Sequence, residues 1–306
     1  MAKLKLITFF AGFFLISFFS CFEGCFAEEN LKLTARIAYN LKNITGDPAF
    51  APTQLSVDRK HNEIYVVAGK TIVIFDNQGS QLFWFRIKNP FHSLQISSNG
   101  DIYIADNFGI SIFNYRGVFK KKLDLSTIPN FESMNIAAIH IGQDDQIYIG
   151  DGNNGRIITL DLKGKFLHQF GKKGKGEGEL FNFKKIATGK ERIYILDPIL
   201  FKISVFDKSG KYLFRFGIIS GLAGGFSMPA GMVVHGGMIY VIDANRMVAI
   251  VFDKDGKFQF EFGGEEFGQQ FLWPGDINVD NDGKIYVADG GNKMVQVYKV
   301  EPKEKK

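Results

Sequence analysis

An Ile-Tyr pair recurs six times in this chain, each time opening a short apolar run: IYVVAG at Tyr65, IYIADN at Tyr103, IYIGDG at Tyr148, IYILDP at Tyr194, IYVIDA at Tyr240 and IYVADG at Tyr286. Successive tyrosines stand 38, 45, 46, 46 and 46 residues apart. Every pair sits in one frame. A short apolar segment precedes it (LSV, LQI, AIHI, IAT, MVV, INV), a polar turn separates the two, and a third segment follows (IVIFD, ISIFN, IITLD, ISVFD, AIVFD, VQVYK). Most copies add a Gly turn and a Phe-rich fourth segment, as in KFLHQFG, KYLFRFG and KFQFEFG. The last two alternate with period two, as strands with unlike faces do. Four short antiparallel strands in a unit of about 45 residues is the period of a β-propeller blade.

A helical solenoid would need extended 3.6-residue periodicity, which is missing beyond the N-terminal segment. A sandwich gives near-identical four-strand units no reason to divide between two sheets. The 32 Phe and 34 Gly agree with many short strands joined by turns. The last unit holds only three strand segments before the charged tail 301–306. Left open, such an apolar edge would be an aggregation hazard. The alternating stretch LKLTARIAYNL (31–41) is unassigned ahead of the first unit, and it is expected to supply the missing strand and close the ring. Residues 31–300 number 270, or 45 for each of six blades. The expected fold is all-β: a six-bladed propeller of four-stranded antiparallel blades, closed by the N-terminal strand.

Residues 1–27 read as a signal peptide. Lys3 and Lys5 precede an apolar run over 6–19, and Cys25-Phe26-Ala27 places small residues where a signal peptidase reads. Two alternatives stay open. Phe18-Phe19-Ser20-Cys21 resembles a lipoprotein box, which would put lipid on Cys21, and an uncleaved segment would serve as an anchor. All three predict an exported domain: periplasmic, extracellular or membrane-tethered. Cleavage after Ala27 removes both cysteines, so the domain would rely on its core and not on disulfides. It also removes two lysines and one glutamate, taking the formal charge from +5 to +4. No polybasic run of the nucleic-acid kind remains. Asn43-Ile44-Thr45 is a glycosylation sequon, of consequence in a eukaryotic secretory pathway.

The stretch FGQQFLWPGDINVDNDGKIYVADGGNKMVQVY (267–298) closely resembles the NHL repeat, in its Pro-Gly, its Val-Ala-Asp and the Asn-Lys of its turn. Residues 179–217 and 227–263 are similar. The two earliest units depart most: Ala68-Gly69 stands in place of the Asp, and the 38-residue spacing shortens an inter-blade loop. The resemblance covers nearly the whole exported domain and implies the propeller. It implies no activity, because the fold hosts binding scaffolds and enzymes alike. In NHL-like amidating lyases and related propeller enzymes, metals sit in the axial channel near the innermost strands.

Asp106, Asp151, Asp197, Asp243 and Asp289 repeat around the ring just before a turn. Catalytic carboxylates must converge on one point, so these are read as turn caps accepting backbone N–H bonds. Aligning the inner strands on Asp276 places Gln54, Ser93, Ala138, Lys185 and Gly231 with it at one channel mouth, with His92, Lys184 and Gly275 one residue away. A lactonase-like or lyase-like site would present several acids, amides or histidines there. Zinc wants three or four ligands and calcium six or more oxygens. No metal, cofactor or catalytic residue is assigned, and Lys185–Asp276 is read as a structural ion pair. His61 and His235 fall in turns, His140 in an inner strand and His168 in an outer one.

Inter-blade connections share a face with the turns between second and third strands. On it fall Ile199, Leu200 and Phe201, and the connection 217–228 with Ile218, Ile219, Leu222 and Phe226. Apolar turn tips are unusual and predict a contact surface. Lys172, Lys173 and Lys185, with Lys175 and Lys184, form a basic cluster on the same face. Export disfavours nucleic acid and leaves a protein or other macromolecule as partner. The expected function is a non-catalytic binding scaffold, a monomer or complex subunit. The alternative is a channel-sited hydrolase or lyase of the lactonase or amidating-lyase type. A third reading is an envelope component tethered through Cys21.

Overall fold

The computed structural model describes residues 33–42, 50–106, 109–264 and 270–302, all within one compact unit, Leu33–Lys306. The signal-peptide and lipid-anchor readings and the sequon lie outside the described residues. Among the described residues, twenty-four strands, β1 to β24 in chain order, form six separate four-stranded antiparallel sheets. Five sheets are consecutive: 54–86, 93–122, 136–170, 185–216 and 229–262 are blades one to five. Their innermost strands are β2 (Gln54–Asp58), β6 (Ser93–Ile96), β10 (Ile136–Ile141), β14 (Lys185–Thr188) and β18 (Pro229–His235). In blade six the innermost strand is β22 (Pro274–Val279), followed outward by β23 (Ile285–Asp289), β24 (Met294–Pro302) and β1 (Leu33–Lys42). Each innermost strand lies beside the next, and β22 lies beside β2, which makes the ring.

The ring closes as the sequence predicts. β1 (Leu33–Lys42) runs antiparallel to β24 (Met294–Pro302), from Leu33 opposite Pro302 to Lys42 opposite Met294, with a bulge between Ile37 and Tyr39. Leu41 is fully buried by this pairing. The apolar core is divided into six clusters, and each lies between two neighbouring blades. Val66 and Val73 of blade one pack with Val295 and Val297 of blade six, while Leu196 and Val205 of blade four pack with Met232 and Ile250 of blade five. A blade therefore buries little by itself, and stability belongs to the closed ring.

Two carboxylate devices repeat and shape the turns. Asp151, Asp197 and Asp243 are buried, and each accepts the N–H groups two and three residues on, as from Ile199 at 2.9 Å and Leu200 at 2.9 Å onto Asp197. Their second oxygens, or the same ones, hold the chain arriving at the blade, as Asn182 N does on Asp197 at 2.9 Å. Asp76, Asp161, Asp207 and Asp253 end third strands and accept the N–H groups two and four residues on. The glycine three residues after each, such as Gly210, has positive φ, a conformation open to glycine at little cost.

Candidate functional site

The register of the inner strands places the six ring residues at one level. Gln54 pairs with Val67, Ser93 with Ala105, Ala138 with Gly150, Lys185 with Leu196, Gly231 with Ile242 and Asp276 with Ala288. Each partner precedes the repeat acid, or Ala68 in blade one. Gln54, Ser93, Ala138, Lys185 and Asp276, with His92, line a cavity of about 170 Å³ at one end of the axis. Lys185 Nζ reaches across the mouth to Asp276 Oδ2 at 2.6 Å. Asp276 also accepts Leu55 N at 3.1 Å and Ile277 N at 3.0 Å. Gly231 makes this reach feasible, because a Cβ there would lie 2.5 Å from Asp276 Oδ1. The single ring carboxylate is thus consumed by one ammonium and two backbone donors. This donor set does not fit a channel metal at this mouth. Burial lowers the pKa of His92, although the charge of Asp106 opposes the shift.

The opposite mouth, which sequence reasoning passed over, is larger. A cavity of about 410 Å³ is lined there by Asp58, Arg59, Ser97, His140, Thr188 and Asn278, among others, and Lys185 borders both cavities. His140 Nε2 lies 3.0 Å from Thr188 Oγ1. Burial, then the charges of Lys185 and Lys208, push its pKa down to about 3, so the imidazole is neutral at physiological pH. Arg59 Nη1 approaches His235 Nδ1 at 3.4 Å. The signal in the sequence was present: polar residues close the inner strands at Asp58-Arg59, Ser97-Ser98, Thr188 and His235. A ring aligned on strand starts could not detect them.

The loop face divides the remaining candidates. Ile199, Ile218, Ile219 and Leu222 are 55, 60, 70 and 79% exposed. Leu200 and Phe201 are only half-buried, and Phe201 packs against the core between blades four and five. Phe226, expected at the surface, is instead completely buried. Its N–H donates to Ile218 O at 2.8 Å, its carbonyl accepts Ser220 N at 3.0 Å, and its ring stands edge-on to Phe252. It anchors the loop from which Ile218, Ile219 and Leu222 project.

Leu272 and Trp273, not singled out in the sequence, add 41 and 62% exposed side chains to the same face in the connection to blade six. The Trp-Pro-Gly run was read there only as part of the repeat. The basic cluster is largely committed internally. Lys185 binds Asp276, Lys172 pairs with Glu179 at 3.0 Å, and Lys173 donates to the carbonyl of Gly152. Lys175 lies over the Phe181 ring at 4.5 Å. Lys185 is a channel residue and does not belong to the loop surface.

Two family models match the chain, one described as 6-bladed beta-propeller over residues 119–216 and one as NHL repeat over residues 271–298. The chain is a six-bladed β-propeller, and its stretch 271–298 matches an NHL repeat. A search of curated proteins finds no match. Among solved structures it is similar to a streptogramin B lyase (TM-score 0.62, 14% identity, 89% of this chain and 98% of that one). It is similar too to a gluconolactonase from Xanthomonas campestris (TM-score 0.65, 11% identity, 87% and 95% covered). A virginiamycin B lyase from Staphylococcus aureus gives TM-score 0.56 at 18% identity, with 90% and 89% covered. At such identities the likeness is one of fold.

Proposed function

We propose that this propeller is a binding scaffold whose loop face on blades four to six engages a protein partner. One observation carries the reading. The connections 171–184 and 217–230 are built alike, each closed by a parallel bridge, Lys173 with Leu180 in one and Ile219 with Phe226 in the other. With Leu180 aligned on Phe226, Lys172 and Lys173 occupy the places of Ile218 and Ile219. The loop tolerates charge at these positions, so the fold does not demand two exposed isoleucines in the second connection. Together with Leu222, Leu272 and Trp273 they form an apolar display of the kind that marks contact surfaces, with a Trp suited to act as an anchor. A closed ring holds its loops with little ordering cost on binding.

The test is comparative capture from extracts of the organism that makes the protein. A protein retained by wild type and by Lys60→Asp, but lost with Leu222→Asp, supports the reading. Equal retention by all three contradicts it. A second reading, a hydrolase or lyase acting at the channel, draws on the larger mouth with its neutral His140 and on the similarity in fold to a lyase and a lactonase. Turnover of a lactone or of a streptogramin B that is abolished by His140→Ala would favour it.

A further inference from the structure

The first turn of blade one differs from its counterparts. In blade six, Asp280 follows the innermost strand, its Oδ1 accepts the N–H groups of Asp282 and Lys284, both at 2.9 Å, and its Oδ2 accepts the Tyr286 hydroxyl at 2.8 Å. Asp58 holds the equivalent place in blade one, but five residues, not four, separate it from the next Ile-Tyr pair. The longer turn brings His61 back over the carboxylate. Asp58 Oδ1 accepts the N–H groups of Lys60 at 2.9 Å and His61 at 3.2 Å, while His61 Nδ1 lies 2.7 Å from Oδ2.

The hydroxyls of Tyr103, Tyr148, Tyr194 and Tyr286 each find an acceptor between 2.8 and 3.2 Å. The hydroxyl of Tyr65 makes no hydrogen bond of ordinary length, although the residue is completely buried, and it faces the Glu63 carboxylate. Glu63 stands two residues before it on the same strand, hence on the same face. Ligand atoms of Asp58, His61 and Glu63 all lie within 4.8 Å of one another.

We propose that Asp58, His61 and Glu63 form a divalent-cation site at the edge of the larger channel mouth, taking zinc or a metal of similar preference. One imidazole and two carboxylates suit zinc with a fourth position left to water. A cation there would neutralise the carboxylate pair beside the Tyr65 hydroxyl. The site is independent of the loop-face reading, since it lies on the other side of the propeller and uses none of the same residues.

The experiment titrates tag-free protein with zinc alone by calorimetry, and with cobalt followed by visible absorption. Wild type is expected to bind one equivalent. His61→Ala and Glu63→Gln, both at accessible positions, should each weaken binding about tenfold or more. Lys60→Ala should leave it unchanged. Asp58→Asn is avoided because Asp58 also holds the turn. Absence of saturable zinc binding, or binding retained by either ligand variant with an unchanged melting temperature, overturns the proposal.

Discussion

Replacing Asp276 by Ala tests the reading of the channel ring as structure. Asp276 is 2% exposed and Lys185 19% exposed, so their pair is largely withdrawn from water. Removing one member of a buried pair costs about 3–5 kcal/mol, because the other charge is left behind. Lys185 borders the larger cavity and can regain some water there, which places the loss near the lower figure, about 3 kcal/mol. The Leu55 N–H loses its acceptor in the same variant. For a domain of this size that loss lowers Tm by about 6–12 °C.

Lys185→Met should cost less, about 1–2 kcal/mol, because Asp276 keeps two backbone donors. The double variant should fall short of the sum by about 1 kcal/mol or more, the coupling expected of contacting charges. Urea denaturation of the four proteins supplies each value. A loss below about 1 kcal/mol for Asp276→Ala, or strict additivity, would refute the structural role.

Other predictions follow from the same packing. Phe226→Ala should lose about 3–5 kcal/mol in denaturant melts, whereas Leu222→Asp in the same loop should stay within about 0.5 kcal/mol of wild type. Leu41→Ala should cost about 2–5 kcal/mol although it lies on the closing strand, and limited proteolysis should then cut β1 first. His140 titrates near 3 in the fold against 6.5 for a free imidazole. The unfolded chain therefore binds a proton that the folded one refuses, and stability falls as pH drops from about 6.5 toward 3, by up to about 1.4 kcal/mol per unit. Burial, joined by the charges of Lys185, Lys208 and Arg59, holds the imidazole neutral while Asp144 opposes them, so His140→Gln should flatten that slope in urea melts at stepped pH.

The fold was legible because every blade repeats its own instructions. The Ile-Tyr pair marks the second strand in every blade, an Asp after it precedes the next turn in all but blade one, and an Asp-x-x-Gly motif sets the following turn in four blades. Even the closure could be read, since a blade lacking one strand and a spare alternating segment call for each other. The channel ring was recoverable for the same reason: register follows from repeat position.

Burial within a loop was not recoverable. Phe226 and Ile219 are both apolar residues in one connection, and only the parallel bridge and the Phe252 ring decide which faces inward. Ion pairing across the axis likewise removes Lys185 from the surface through Asp276, 91 residues away in sequence. The Asp58–His61–Glu63 grouping escaped notice because a one-residue lengthening of a turn reads as ordinary loop variation. It becomes informative only when the Tyr65 hydroxyl is seen to make no hydrogen bond of ordinary length.

The most direct test of the loop face as the binding surface is site-specific photocrosslinking in the organism that makes the protein. A photoreactive residue in place of Leu222 or Trp273 should yield a discrete protein adduct that disappears with Ile219→Asp, while the same residue at Lys60 on the opposite face yields none. Equal adducts from both faces, or an adduct from Lys60 alone, would contradict the account.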